Sequence, residues 1–208
     1  MQKNPSQKEI DAVIQLYKIG KFDSMEKLSL SLTKEYPFHT FGWKALGITL
    51  KQKGKILEAL VTNKKVLEID PKDPEGHYNM GNTLKLLNKL NESIRCYKKA
   101  IELNSNYAEA YNNLGVTLKD LGNLNDAIIN YKKAIELNSN YAEAYNNLGI
   151  ALKENERLDQ SQINYKKAIE INPSYVEAYN NLGILQRDKG ELENSKMNYE
   201  KAIALKPN

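Results

Sequence analysis

Three things are scarce in this chain, and each scarcity removes a class of function. There is one cysteine, Cys96, in 208 residues, so no internal disulfide can staple the fold and no cysteine-based zinc site can form. There are two histidines, His39 and His77, far apart in sequence and without a carboxylate or metal-ligand pattern around them, so no catalytic constellation, metal or cofactor is expected. No stretch approaches the roughly 18 consecutive apolar residues of a membrane span. The opening Met1-Gln2-Lys3-Asn4-Pro5 lacks the apolar core of a secretion signal, and a cytoplasmic location away from membranes is the expectation. Charge of one sign is lacking too: 30 basic residues face 26 acidic ones, a net charge of +4 scattered along the chain, which gives no footprint for nucleic acid.

What the chain has instead is repetition. Residues 97 to 115 read YKKAIELNSNYAEAYNNLG, and residues 131 to 149 repeat the same nineteen letters 34 positions later. That register divides the sequence into a tail, 1–5, and repeats 6–39, 40–73, 74–107, 108–141, 142–175 and 176–208. Self-similarity at such a period marks a solenoid, in which no single unit buries its apolar face alone. One solenoid domain over 1–208 is therefore expected.

Within 108–141, Tyr111, Leu114, Gly115 and Leu118 are repeat positions 4, 7, 8 and 11, which fall on one stripe of a helix. Gly122 breaks that helix, and Leu124, Ala127, Ile128, Tyr131, Ala134 and Ile135 form a second stripe. The second helix ends near Ser139, whose counterparts Pro71, Pro173 and Pro207 cannot continue a helix. Gly81, Gly115, Gly149, Gly183, Ala59 and Ala127 are read as small residues that let helices approach closely. Tyrosine recurs at positions 4, 24 and 34 and is assigned to the core. His77 replaces the aromatic at position 4, and Cys96 is read as an inert thiol. Two joints are expected to be irregular: Asn63 stands at the position-24 aromatic site, and Glu156 stands where a turn glycine belongs. Repeat 6–39, with Glu9, Val13 and Met25 at signature positions, reads as a degenerate cap.

The signature residues Trp43, Leu46, Gly47, Leu50, Ala59 and Pro71, and again Tyr145, Leu148, Gly149, Leu152, Tyr165, Ala168 and Pro173, resemble those of the tetratricopeptide repeat (TPR) family. The resemblance covers nearly the whole chain. It implies an all-α fold, a right-handed α-solenoid of stacked antiparallel helix pairs wound into a superhelix. It also implies a non-enzymatic scaffold that binds a protein or peptide in a concave groove lined by the first helix of each repeat.

Positions 2, 5, 6, 9, 12 and 13 share the arc opposite the buried stripe of that helix. Position 6 carries Asn79, Asn113, Asn147 and Asn181, and position 5 adds Asn112, Asn146 and Asn180. The row resembles the asparagine ladder of O-linked N-acetylglucosamine transferases, where side-chain amides hold an extended peptide backbone. An amide offers both an acceptor and donors, so it can bind peptide groups whatever the ligand's side chains. Duplication of a block copies any asparagine within it, but Asn79 and Asn181 lie outside the identical blocks. Each rung contributes on the order of 1 kcal/mol net, so four rungs alone give roughly millimolar affinity. Lys85, Lys119, Lys153 and Arg187 at position 12 form a basic rim facing Glu75, Glu109, Glu143 and Glu177 at position 2. This polarity suits an oriented peptide, and it is also what the helix dipole favours. The carboxylate clamp of some TPR proteins is not reproduced, since Lys44 at position 5 is followed by Ile48 at position 9. An alternative role is the substrate-recognition arm of a larger glycosyltransferase of that O-linked type. Tyr199, Ile203 and Leu205 in the uncapped last repeat also offer a route to self-association.

Overall fold

The computed structural model describes residues 4–206, so the Pro207 expected to stop the last helix lies outside the described residues. Twelve helices and no strand are found among them, two helices to a repeat. The chain divides into two compact units that meet in sequence between Ser105 and Asn106. The first contains α1 (Gln7–Lys18), α2 (Phe22–Glu35), α3 (Thr40–Gln52), α4 (Ile56–Ile69), α5 (Pro74–Leu86) and α6 (Leu90–Leu103). The second contains α7 (Ala108–Asp120), α8 (Leu124–Leu137), α9 (Ala142–Glu154), α10 (Leu158–Ile171), α11 (Val176–Asp188) and α12 (Leu192–Leu205). Within each unit every helix packs on the next, which is the α-solenoid of stacked antiparallel helix pairs.

The contact that sets the pairing is between glycine at position 8 and tyrosine at position 24. Tyr97, Tyr131 and Tyr165 are at most 1% exposed, and each lays its ring on the glycine of its own repeat. A Cβ at Gly81, Gly115 or Gly149 would stand 2.7, 2.7 or 2.6 Å from a ring carbon, closer than any carbon contact tolerates. Where position 20 is serine, its hydroxyl donates to the carbonyl of the same glycine: Ser93 to Gly81, Ser161 to Gly149 and Ser195 to Gly183, at 2.8, 2.7 and 2.8 Å. In repeat 40–73 the place of the tyrosine is taken by Asn63, which is buried and donates to Thr83 Oγ at 2.8 Å and to the Asn79 carbonyl at 3.2 Å. The helix pair stays regular there, because the amide fills the space over Gly47 and finds polar partners on α5.

The turn between the two helices of a repeat is also uniform. Position 15 has positive φ in all six repeats: Gly20, Gly54, Asn88, Gly122, Glu156 and Gly190. The irregular joint expected at Glu156 is not found. Its backbone adopts the glycine conformation at φ 57°, a state that costs a non-glycine residue roughly 1–2 kcal/mol.

First helices of neighbouring repeats also touch one another, α3 with α5 in the first unit and α7 with α9 and α9 with α11 in the second. Successive second helices make no comparable contact. Within a unit the first helices therefore crowd the inner side of the bend, and open grooves lie between the second helices.

Charged joints add to the stacking. In the first unit Lys53 hydrogen-bonds Asp23 and Glu26, and Lys55 reaches the other oxygen of Glu26 at 3.0 Å. These bonds hold the Glu26 carboxyl below its ordinary pKa and push Lys53 up to about 12.

Two predictions follow from this packing. Glycine substitutions should have opposite signs at two sites. Glu156→Gly should stabilise by about 1 kcal/mol by relieving the positive φ. Gly149→Ala, despite the better helix propensity of alanine, should cost about 1–3 kcal/mol by overpacking against Tyr165. Urea unfolding of both variants checks the pair, and a stabilised Gly149→Ala would refute the contact. Because Glu26 has a lowered folded pKa, its contribution is present above the unfolded carboxylate value of about 4.3 and is lost as pH falls below it. The raised pKa of Lys53 works oppositely: its contribution is full below about 10.5 and is lost as pH rises through about 12. Glu26→Gln should therefore flatten the acid limb of the stability profile measured by circular dichroism.

Candidate functional site

The first-helix arc is where the candidate residues lie, and the structure separates the two asparagine positions. Position 5 faces the first helix of the next repeat. Asn112 is fully buried and Asn146 is 4% exposed, because α9 and α11 pack over them. Position 6 is half-buried at Asn79, Asn113, Asn147 and Asn181, at the edge of the same contact.

The two positions are joined by a recurring hydrogen bond. Asn147 Nδ2 donates to Asn112 Oδ1 at 3.0 Å, and Asn181 Nδ2 donates to Asn146 Oδ1 at 2.9 Å. Asn112 Nδ2 in turn donates to Glu143 Oε1 at 3.1 Å and leans on Asn113 Oδ1 at 3.4 Å. Asn112 and Asn146 were expected to be direct ligand contacts. Burial removes that role, and they act as acceptors that fasten one repeat to the next. Asn180 has the same sequence position but is exposed. Asn147 and Asn181 each commit one amide hydrogen to the ladder, leaving a carbonyl oxygen and a second N–H.

Asn79 departs from this scheme for a reason visible in the preceding repeat. Its partner at position 5 is Lys44, which offers no acceptor, and the Asn79 Nδ2 is buried without a hydrogen-bond partner. Lys44 serves the other half of the joint, with Nζ 2.6 Å from Asp73 and 2.7 Å from Glu75. Asp73 is only 7% exposed and also caps α5, accepting from the Glu75 backbone at 3.0 Å. Lys44 with Glu75 and Asn112 with Glu143 are thus the same joint in two chemistries.

The rims are also internally paired. Lys119 approaches Glu154 at 3.6 Å, Lys153 approaches Asp188 at 2.7 Å, and Arg187 bonds Asp188 at 3.2 Å. Hydrogen bonds from Lys153 and Arg187 keep the Asp188 carboxyl below its ordinary pKa. Lys85 and Asn113 have further partners of their own. The acids at position 13, Asp120, Glu154 and Asp188, were left out of the sequence reading, although their 34-residue spacing was available. Beside the ladder, position 9 carries half-buried Val116, Ile150 and Ile184, whose spacing also gave a signal. The face in the second unit combines amide rungs, apolar steps and charge pairs near neutrality.

Other candidates have structural roles. His77 Nε2 lies 3.0 Å from the Pro71 carbonyl, and His39 Nδ1 accepts from the Phe41 backbone at 3.2 Å at the start of α3. Burial pushes the Cys96 thiol up to about 11, far from a nucleophilic value. Among the described residues there is no cluster of three or more His, Cys, Asp or Glu placed for a metal, and no helix long and apolar enough to cross a membrane. At the last repeat Ile203 is 66% exposed, while Tyr199 and Leu205 are half-buried.

Comparison with known proteins agrees with this architecture. A TPR repeat family matches residues 47–88, 81–122 and 117–156, and two further tetratricopeptide repeat families match 142–175 and 164–197. Among curated proteins none matches. Of solved structures, MamA is 31% identical with a TM-score of 0.68, over 77% of this chain and 94% of that one. YrrB, described as a TPR protein with an unusual peptide-binding site, is 23% identical with a TM-score of 0.65, over 86% of this chain and 93% of that one. A chain of the APC/C hetero-tetramer Cut9-Hcn1 is similar in fold at 19% identity and a TM-score of 0.82, over 93% of this chain and 38% of that one.

The ladder yields a stability test. Asn112→Ala leaves a gap at a fully buried site and takes the acceptor from the half-buried Asn147 amide, and should cost about 1–3 kcal/mol, whereas Asn180→Ala, on an exposed site, should stay within about 0.5 kcal/mol of the parent. Equal stabilities in chemical denaturation would remove the interrepeat role assigned to Asn112.

Proposed function

Since the chain belongs to the tetratricopeptide repeat family, whose repeats serve as protein-interaction scaffolds, we propose that the first-helix face of its second unit binds an extended peptide of a partner protein. The observation that carries the reading is the half-exposed amide row of Asn147 and Asn181, held in one orientation by bonds to Asn112 and Asn146. A ligand that meets preset amides does not have to order them on binding, which lowers the entropic cost of association. Packed helices lie about 8–10 Å apart and an extended chain rises about 3.3 Å per residue, so a rung meets roughly every third ligand residue. Val116, Ile150 and Ile184 supply apolar contact between rungs, which the amides alone lack. Lys119, Lys153 and Arg187, already paired with acids, act as exchangeable partners for ligand carboxylates rather than as a strong positive field. Lys85 and Asn79 belong to the corresponding face of the first unit, where Lys44 replaces the amide acceptor.

The test uses the two ends of the same hydrogen bonds. Asn147→Ala with Asn181→Ala and Asn112→Ala with Asn146→Ala both break the ladder and should lower stability alike, but only the first pair removes groups from the face. Each folded double variant is immobilised and exposed to a library of unstructured peptides. Capture should fall about tenfold or more for the Asn147, Asn181 pair and by less for the Asn112, Asn146 pair, which keeps the amides on the face but frees their orientation. Equal capture by all three proteins would refute the amide-row reading.

A further inference from the structure

The second helix of repeat 40–73 buries the same positions as its counterparts but with different chemistry. Its buried face carries Thr62 and Asn63 beside Ala59 and Val66, Leu57 is 69% exposed, and Val61 is exposed like Ile129, Ile163 and Met197 at the same position of other repeats. At position 18, where α4 has Leu57, the other five repeats have Asp23, Asn91, Asn125, Asp159 and Glu193. The apolar surface continues inward. Between α4 and α6, over α5, lies a groove of about 300 Å³ whose apolar lining includes Leu60, Leu67, Met80 and Leu84.

The rim of this groove is basic. Lys64 on α4 and Arg95 on α6 have no carboxylate partner among the described residues, while Lys89 is matched by Glu92 at 3.4 Å. Burying Leu57 and Val61 under a ligand would remove their apolar surface from water, and the two open cations would select the ligand's charge. The apolar floor is recessed between two helices, so a flat bilayer surface cannot reach it. A second copy of the chain is itself basic, at net +4.

We propose that the α4–α6 groove docks an acidic amphipathic segment of a partner protein, with its large apolar side chains on Leu60, Met80 and Leu84 and its carboxylates against Lys64 and Arg95. This site shares no residue with the amide face of α7, α9 and α11, and the proposal does not depend on it. A scaffold with both sites holds two segments at once.

The single thiol reports on the site, because Cys96 lies in the groove wall. Two synthetic twelve-residue peptides with leucines at i, i+4 and i+7 serve as probes, one with glutamate at its polar positions and one with lysine. Binding is followed by fluorescence anisotropy of the labelled peptide and by the rate at which iodoacetamide alkylates Cys96. The glutamate peptide should bind and slow alkylation several-fold. Lys64→Glu with Arg95→Glu, both on exposed side chains, should weaken it at least tenfold, Leu57→Asn with Val61→Asn should weaken it comparably, and the lysine peptide should not bind. Asn147→Ala with Asn181→Ala should leave binding unchanged, which separates this site from the amide face. Equal binding of the two peptides, or indifference to the charge reversal, overturns the proposal. So does protection of Cys96 that grows with protein concentration alone, which would assign the groove to a second copy, or protection by phosphatidylserine vesicles without peptide.

Discussion

The glycine-tyrosine contact within the last four repeats is the constraint on which the rest is built. Tyr97, Tyr131 and Tyr165 are fully buried large side chains, and they pack at full depth only because position 8 has no Cβ. Aromatic burial of this size is the main favourable term available to a small helical pair. It fixes the separation and rotation of the two helices, and with them the direction of every other side chain in the repeat. The serine-to-glycine-carbonyl bond acts at the same point, so shape and polarity specify one approach. Where the scheme loses a member the cost is local. Tyr97 donates to Asn82 at 2.7 Å, but the equivalent of Asn82 in the next repeat is Val116, and the Tyr131 hydroxyl is buried without a partner, its pKa pushed up by desolvation.

Joints between repeats follow a different logic. The glycine-tyrosine contact recurs within four repeats, whereas the joints between repeats combine apolar clusters, such as Tyr165 with Leu182 and Leu185, with polar pairs that vary in chemistry while keeping their spacing. Lys44 with Glu75 and Asn112 with Glu143 occupy one geometry. Lys53 with Asp23, Asn155 with Asn125 and Lys189 with Asp159 occupy another. A polar pair of either kind is worth little on an exposed surface, but it is directional and penalises any slip of one repeat along its neighbour. Stability therefore draws on apolar burial both within and between repeats, and the polar pairs add register, as expected of a quasi-one-dimensional array.

This division explains what was legible in the sequence. The repeat boundaries, the helix pairs and the close approach at Gly81, Gly115 and Gly149 were all readable, because spacing at three, four and 34 residues reports directly on buried faces. Asn112 and Asn113 were not separable. They are adjacent in sequence and lie on the same broad arc, and which of them is covered depends on how the next repeat leans on the first. That angle belongs to the packing of α7 against α9, and no single-helix pattern contains it. Glu156 was misread for the converse reason: a missing glycine suggested a changed turn, but the surrounding helices hold the positive φ against the residue's own preference.

The polar inner face of α4 connects these themes. Once Asn63 replaces the tyrosine, the inner face of that helix gains stability from hydrogen bonds to Thr83 and the Asn79 carbonyl rather than from aromatic burial. Leu57, 69% exposed on the outer face of the same helix, adds little to that packing and is not explained by it. Exposed leucine at a position that is polar in every other repeat costs solubility without a folding gain. Its retention beside an open groove with unpaired cations is the pattern of a surface shaped by contact with something else. The groove opens between second helices because the first helices take the direct repeat-to-repeat contact, and in the second unit it is those first-helix contacts that preset the amide rungs.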